Sequence, residues 1–173
     1  MKKIFINVTL VFATLTISAQ TKKSEGNFNF TKYPAKIQKI NNKASLKNLS
    51  NPLTKSYSTA SKEQYKNSKI NFAGHYILIE NGDGYESNAV IADVKTGKIY
   101  NIPENKEPFS ANFTFQCLNQ QPLIYKSNSN LLVINNFEGG ESEKPIRNYY
   151  VWNDTTKKFK KIKSETLKCQ KTD

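Results

Sequence analysis

Short apolar runs separated by polar turns fill most of this chain. From His75 to Glu80 the residues are mostly aromatic or β-branched, which suits a pleated, half-buried surface. Asn81-Gly82-Asp83-Gly84 follows and offers the positive φ angles that a tight hairpin turn needs. A second apolar run spans Asn88 to Val94 and leads into Asp93-Val94-Lys95-Thr96-Gly97-Lys98. In that turn Asp93 can accept backbone N–H bonds ahead of it, and Gly97 can take the left-handed position. Ile99 to Ile102 resumes the sheet and Pro103 ends it. Tyr76-Ile77-Leu78-Ile79 and Ala89-Val90-Ile91-Ala92 are apolar at successive positions, which predicts strands covered on both faces.

Further strands are predicted at Asn112 to Leu118, Leu123 to Lys126, Leu131 to Ile134, Asn148 to Trp152 and Phe159 to Ile162. Their connections carry turn chemistry: the Glu104–Phe109 loop, Ser127-Asn128-Ser129-Asn130, a long polar loop from Asn136 to Pro145, and Asp154-Thr155-Thr156-Lys157. Upstream, Leu53, Tyr57, Ala60 and Tyr65 recur on one side at helical spacing, predicting one amphipathic helix over 53–67 with a start signal at Ser50-Asn51-Pro52. Tyr33 to Leu49 has room for one short strand. At an offset of 60, Ile91, Asp93, Thr96, Lys98, Ile99 and Ile102 line up with Val151, Asn153, Thr156, Lys158, Phe159 and Ile162. This is the pattern of a propeller blade's outer hairpin, but blades repeat at about 40 to 50 residues, so the echo reads as recurrent hairpin chemistry in a β-meander.

The expected fold is therefore mostly β: an antiparallel, sandwich-like meander in a single domain, with one flanking N-terminal helix. Its expected boundaries are 1–19 for a signal peptide, 20–32 for a flexible tether, 33–165 for the β-rich domain and 166–173 for a basic tail. The first of these rests on Lys2 and Lys3, the apolar run Ile4 to Ile17 and the small pair Ser18-Ala19. That is the layout of a secretory signal cleaved after Ala19, with an uncleaved anchor as the alternative. The run is short for a membrane span, so the processed chain is expected to be periplasmic or secreted and not to span the membrane.

Charge narrows the partners. The full chain carries 26 basic and 14 acidic residues, net +12. Without Lys2 and Lys3 the balance is 24 against 14, or +10. All basic residues but Arg147 are lysines, whereas sequence-specific nucleic-acid readers lean on arginine for bidentate contacts. Nucleic acid is not an expected partner. An acidic protein or an anionic envelope polymer fits better, and a lysine-rich composition without functional meaning is the alternative.

Candidate chemistry is sparse. Cys117 and Cys169 are expected to form one disulfide after export, closing a loop of about 50 residues worth about 4 kcal/mol in the chain-entropy model; two free thiols are the alternative. His75 is the sole imidazole, and no multi-histidine or Cys-x-x-Cys metal set accompanies it. A structural, buried role is the favoured reading. The catalytic reading makes His75 a general base oriented by Glu86 across the Gly-rich turn, with Glu80, Asp83 and Asp93 as other acids within reach. Neither a metal site nor any cofactor is expected. Asp83, Glu86, Glu138, Glu141, Arg147 and Trp152 are the candidate binding residues. The acids flank Gly-rich loops, and Trp152 belongs to an aromatic cluster with Tyr149 and Tyr150 from which strand alternation exposes one side.

Asn71-Phe72-Ala73-Gly74-His75-Tyr76, the later Ala92-Asp93-Val94-Lys95-Thr96-Gly97-Lys98-Ile99-Tyr100 and Ser129-Asn130-Leu131-Leu132-Val133 together resemble a set of uncharacterised exported bacterial proteins. Those proteins carry a Gly-Cys-Gly-x-x-x-Cys segment where this chain has Asp83 and Ser87, so the local disulfide of the set is absent. The resemblance implies export and a β fold, and no activity. The expected function is a non-enzymatic exported binding protein, an inhibitor or immunity-type protein for an acidic protein partner in the cell envelope. An anionic-glycan binding module and a small hydrolase using His75 are the alternatives.

Overall fold

Alternating and doubly apolar runs leave two sheets to be buried against each other, and the chain does this with two antiparallel meanders. The computed structural model describes residues 28–47, 58–82, 86–103, 109–110, 121–138 and 144–168. A 3-10 turn at Phe30–Lys32 precedes helix α1 (Ser58–Asn67). Strands β1 (Tyr76–Gly82), β2 (Glu86–Asp93), β3 (Ile99–Asn101) and β4 (Phe109–Ser110) form the first sheet. Strands β5 (Leu123–Tyr125), β6 (Leu131–Glu138), β7 (Lys144–Asn153) and β8 (Lys158–Thr166) form the second. The first sheet runs β1-β2-β3, with β4 beside the far end of β2, and the second runs β5-β6-β7-β8. Every pairing is antiparallel. The expected mostly β, sandwich-like fold with one flanking helix is what forms.

Strand alternation sorts the side chains into three clusters. Between the sheets, Phe72, Tyr76, Leu78 and Ile91 from the first meet Leu132, Ile134, Tyr150 and Trp152 from the second. On the outer face of the first sheet, Ile77, Ile79, Val90 and Val94 pack under Tyr65 of α1, with Ile40 and Leu46 beside them. Thus Ile77 and Ile79 face one way, Tyr76 and Leu78 the other, and β1 and β2 are covered on both sides as the doubly apolar runs predict. Each fully buried aliphatic side chain of this kind contributes about 1.5 to 3 kcal/mol.

The second sheet's outer face is covered by a segment expected to be a tether. Phe30, 8% exposed, packs on Leu131 and Val133 with Phe28 and Tyr33 beside it, so residues 28–32 belong to the folded body. The anchor is Ser129: its hydroxyl donates to the carbonyls of Phe30 and Tyr33 at 3.0 and 2.9 Å. Elsewhere in 33–47 the only strand pairing among the described residues is an isolated bridge between Pro34 and Ser129. At the other terminus Thr166 still belongs to β8. Leu167 is buried, its N–H donating to Pro145 O at 2.7 Å, so the segment expected to be a basic tail is docked at least to that point. The expected polar loop 136–145 is also shorter, because β6 continues to Glu138 and β7 begins at Lys144. The expected strand at 112–118 and the first part of the expected helix lie outside the described residues.

Two local devices hold the first sheet in place. Phe72 and Tyr76 bridge across a three-residue turn in which Ala73 and Gly74 both have positive φ, 44° and 79°. Ala73 and Gly74 N–H groups donate to Ser129 and Ser127 carbonyls across to the second sheet, and Gly74 O accepts from Gln38 N–H. Just before that turn, the Asn71 amide lies along the open edge of β1: its Oδ1 accepts from Leu78 N–H at 2.7 Å and its Nδ2 donates to Leu78 O at 3.1 Å. With Gln64 Oε1 accepting from Glu80 N–H, side chains complete an edge that would otherwise invite a foreign strand.

Candidate functional site

His75 sits in the turn before β1, not on the strand, and is 4% exposed. Gln38 Nε2 lies 3.3 Å from His75 Nδ1. An amide nitrogen can only donate, so the imidazole proton is assigned to Nε2. That nitrogen faces Asp93 Oδ1 at 3.8 Å and Asp154 Oδ1 at 3.5 Å. Burial lowers the His75 pKa; Asp154 and Asp93 oppose this, while Lys95 and Lys157 add to it. The ring is therefore neutral around pH 7.

Asp93 closes the β2–β3 turn. Its Oδ1 accepts from Lys95 N–H and its Oδ2 from the Thr96 hydroxyl, both at 2.9 Å, while Gly97 takes φ 72° and donates to Asp93 O. The β7–β8 turn repeats this chemistry. Asn153 Oδ1 accepts from Thr155 and Thr156 N–H at 3.0 Å, Lys157 N–H donates to Asn153 O, and Lys157 has φ 54°. The pairing follows: Ile91 faces Tyr100 and Ala92 faces Ile99 in one hairpin, Val151 faces Lys160 and Trp152 faces Phe159 in the other. The sequence echo at offset 60 is one hairpin geometry used twice.

The second hairpin delivers Asp154 and Lys157 to the His75 turn. The Tyr76 hydroxyl, on a fully buried residue, donates to Asp154 Oδ1 and accepts from Lys157 Nζ at 2.8 Å. Lys157 Nζ also donates to Asp154 Oδ1 at 2.7 Å. Burial, then the bond to Asp154, pushes the Tyr76 phenol far above its ordinary range, so it stays protonated. Burial alone would raise the Asp154 pKa; hydrogen bonds from Lys157 and Tyr76 and the nearby His75 outweigh it and hold the carboxyl at about 2. Beneath lies Trp152, with its ring 5.3 Å from that of Tyr76. Its Nε1–H is buried, and among the described residues no partner meets strict hydrogen-bond geometry. The assembly is a polar clasp joining the first sheet to the β7–β8 hairpin.

Among the sequence-derived candidates, Glu86 does not meet His75. The register sets Tyr76 opposite Asp93 and Gly82 opposite Ser87, so Glu86 lies at the far end of the hairpin, about 20 Å away at the usual strand rise. Asp93 holds the place foreseen for Glu86. Trp152, 2% exposed, offers no ring face for stacking, because its side of β7 faces the inter-sheet core. Arg147 is engaged within the protein: Nε donates to Asn135 Oδ1 at 2.9 Å, the guanidinium stacks 4.7 Å over Phe28 and NH1 is 3.8 Å from Glu165. Glu138 ends β6 opposite Lys144. Asp83, Glu141, Cys117 and Cys169 lie outside the described residues. Among the described residues no group of three His, Cys, Asp or Glu side chains is placed to hold a metal ion, and no helix is long and apolar enough to cross a membrane.

The feature that faces outward is β8. It is the last strand of its sheet, and Lys158, Lys160, Lys161 and Lys163 on it are exposed. Lys163 pairs with Glu165; among the described residues no carboxylate pairs with Lys158, Lys160 or Lys161. Comparison of the chain with protein-family models, with curated proteins and with solved structures finds no match.

Proposed function

We propose that this is an exported, non-enzymatic binding protein that engages an acidic protein partner in the cell envelope, an inhibitor or immunity-type role. The observation that carries it is the row of exposed lysines on β8, three of which lack a carboxylate partner among the described residues. Such a row steers an acidic surface towards itself and fixes its register. The clasp, by contrast, has its groups bonded to one another: the phenol keeps its proton and the buried imidazole already has neighbours on both nitrogens. A general base needs access to the proton it takes.

The test is capture from a cell-envelope extract on immobilised protein, beside a Lys158→Glu, Lys160→Glu, Lys161→Glu variant. Capture should disappear when the extract is treated with protease, in the variant, and above about 0.5 M salt, where screening falls to a few ångströms. Capture that survives protease would instead assign the surface to an anionic envelope polymer.

A further inference from the structure

We infer that β8 accepts a fifth strand: an extended, acidic segment of the partner adds to the second sheet, a proposal that rests on the acidic-protein reading above. The backbone geometry supplies the first argument. Trp152 N–H donates to Asn130 O, on the β6 side. In an antiparallel ladder successive residues bond to opposite neighbours, so Val151 and Asn153 turn towards β8, where they face Lys160 and Lys158. Phe159 and Lys161 between and beyond them therefore present their N–H and C=O groups to the open side. Among the described residues, β8 pairs with β7 alone. The edge of β1 has side chains laid along it by Asn71 and Gln64; β8 has no such cover among the described residues.

Side-chain charge supplies the second. Lys158 and Lys160 lie on the outer face with Asn153 and Val151 opposite, about 7 Å apart. Phe159, half-buried against the inter-sheet core, and Lys161, over the Tyr150 ring, lie on the other face. A strand with carboxylates at alternate positions places one opposite each of Lys158 and Lys160 and an apolar residue opposite Phe159. Directly opposed unlike charges stabilise a strand pair and like charges oppose it. The same lysines that reject a neutral strand or a second copy of β8 thus select an acidic one. Lys157 at the hairpin tip is committed to Asp154 and Tyr76, so the clasp fixes the end of the edge without competing for the ligand.

The experiment uses the full chain and three nine-residue peptides: one alternating glutamate and valine, the same peptide N-methylated at every second residue, and one of identical composition with its glutamates contiguous. Binding is read by titration and by amide hydrogen exchange. The alternating peptide should bind, slow exchange at Phe159 and Lys161, and lose at least tenfold in affinity on N-methylation or with the Lys158→Glu, Lys160→Glu variant, whose circular dichroism should be unchanged. Equal binding of all three peptides with unprotected amides would overturn strand addition and leave the acidic-partner reading standing. Failure of every peptide while protease-sensitive envelope capture persists would overturn it too. Absence of that capture would remove the reading itself.

Discussion

Tyr76→Phe isolates one oxygen of the clasp. The ring stays in the inter-sheet core, against Trp152 at 5.3 Å and Tyr100 at 6.4 Å, so packing is preserved. What goes is a hydroxyl that donates to a carboxylate and accepts from an ammonium. Hydrogen bonds to charged groups are worth about 1.5 to 3 kcal/mol. The lower end applies, because Asp154 is 52% exposed and keeps its Lys157 partner, so no charge is stranded. We expect a loss of about 1.5 kcal/mol at pH 7 and a fall in Tm of about 3 to 6 °C. The loss should fade in acid. The Asp154 carboxyl is held at about 2 against an ordinary 3.8, so its contribution is full above pH 4 and is lost as pH falls through about 2. That contribution is about 1 kcal/mol once solvent screening of a half-exposed group is counted. Urea unfolding of wild type, Tyr76→Phe, Asp154→Asn and the double variant would measure it, with an expected coupling of at least about 0.5 kcal/mol at pH 7. A cost for Tyr76→Phe that is the same at pH 2 as at pH 7, or zero coupling, would refute the clasp.

Three further outcomes follow from other parts of the structure. Gly74→Ala and Gly97→Ala would each put a Cβ on a backbone oxygen, 2.4 Å from Lys36 O and 1.8 Å from Ser45 O, at φ 79° and 72°; each should cost more than about 2 kcal/mol in urea unfolding. Lys43→Met removes an ammonium that donates to the carbonyls of Tyr65, Lys66 and Ser68 at the end of α1, so hydrogen exchange should speed up over the last turn of α1, with about 1 to 2 kcal/mol lost. His75→Gln should lower Tm while leaving envelope capture intact. Because the folded His75 pKa lies below its ordinary 6.5, the unfolded chain binds the extra proton first. The wild type should therefore lose stability as pH drops below about 6.5, and the variant should lack that part of the slope.

The hairpins were legible because their turns carry their own chemistry: Asp93 and Gly97, or Asn153 and Thr156, close a turn with bonds made inside six residues. The covered strands were legible because Ile77 and Leu78 are both apolar yet must face opposite ways. What stayed hidden depended on parts meeting from afar. Phe28 and Phe30 alternate with polar residues over only a few positions, too short a run to announce a buried face, and only the outer face of β6 and β7 gives them a place. Glu86 looked close to His75 by residue count, but a straight strand carries its two ends apart. Asp154 and Lys157 read as an ordinary turn, and nothing local announces that the turn lies against Tyr76.

The repeated hairpin explains why the chemistry around His75 does not form where the sequence first directs attention. Both turns need an acceptor at their first position, and Asp93 and Asn153 fill it. Both need a residue with positive φ at the fifth. In the first hairpin that residue is Gly97, with Ser45 O so close that no side chain fits. In the second it is Lys157, and the strain of a non-glycine residue at φ 54° is offset because its ammonium reaches Tyr76 and Asp154. The same backbone thus grips the N-terminal segment through a bare Cα in one sheet and the His75 turn through a long side chain in the other. His75, kept neutral by burial against the pull of both acids, lies between the acid of its own sheet and the acid of the neighbouring one, where it joins the two halves of the sandwich. The edge left open among the described residues is then the continuation of the second hairpin, along β8.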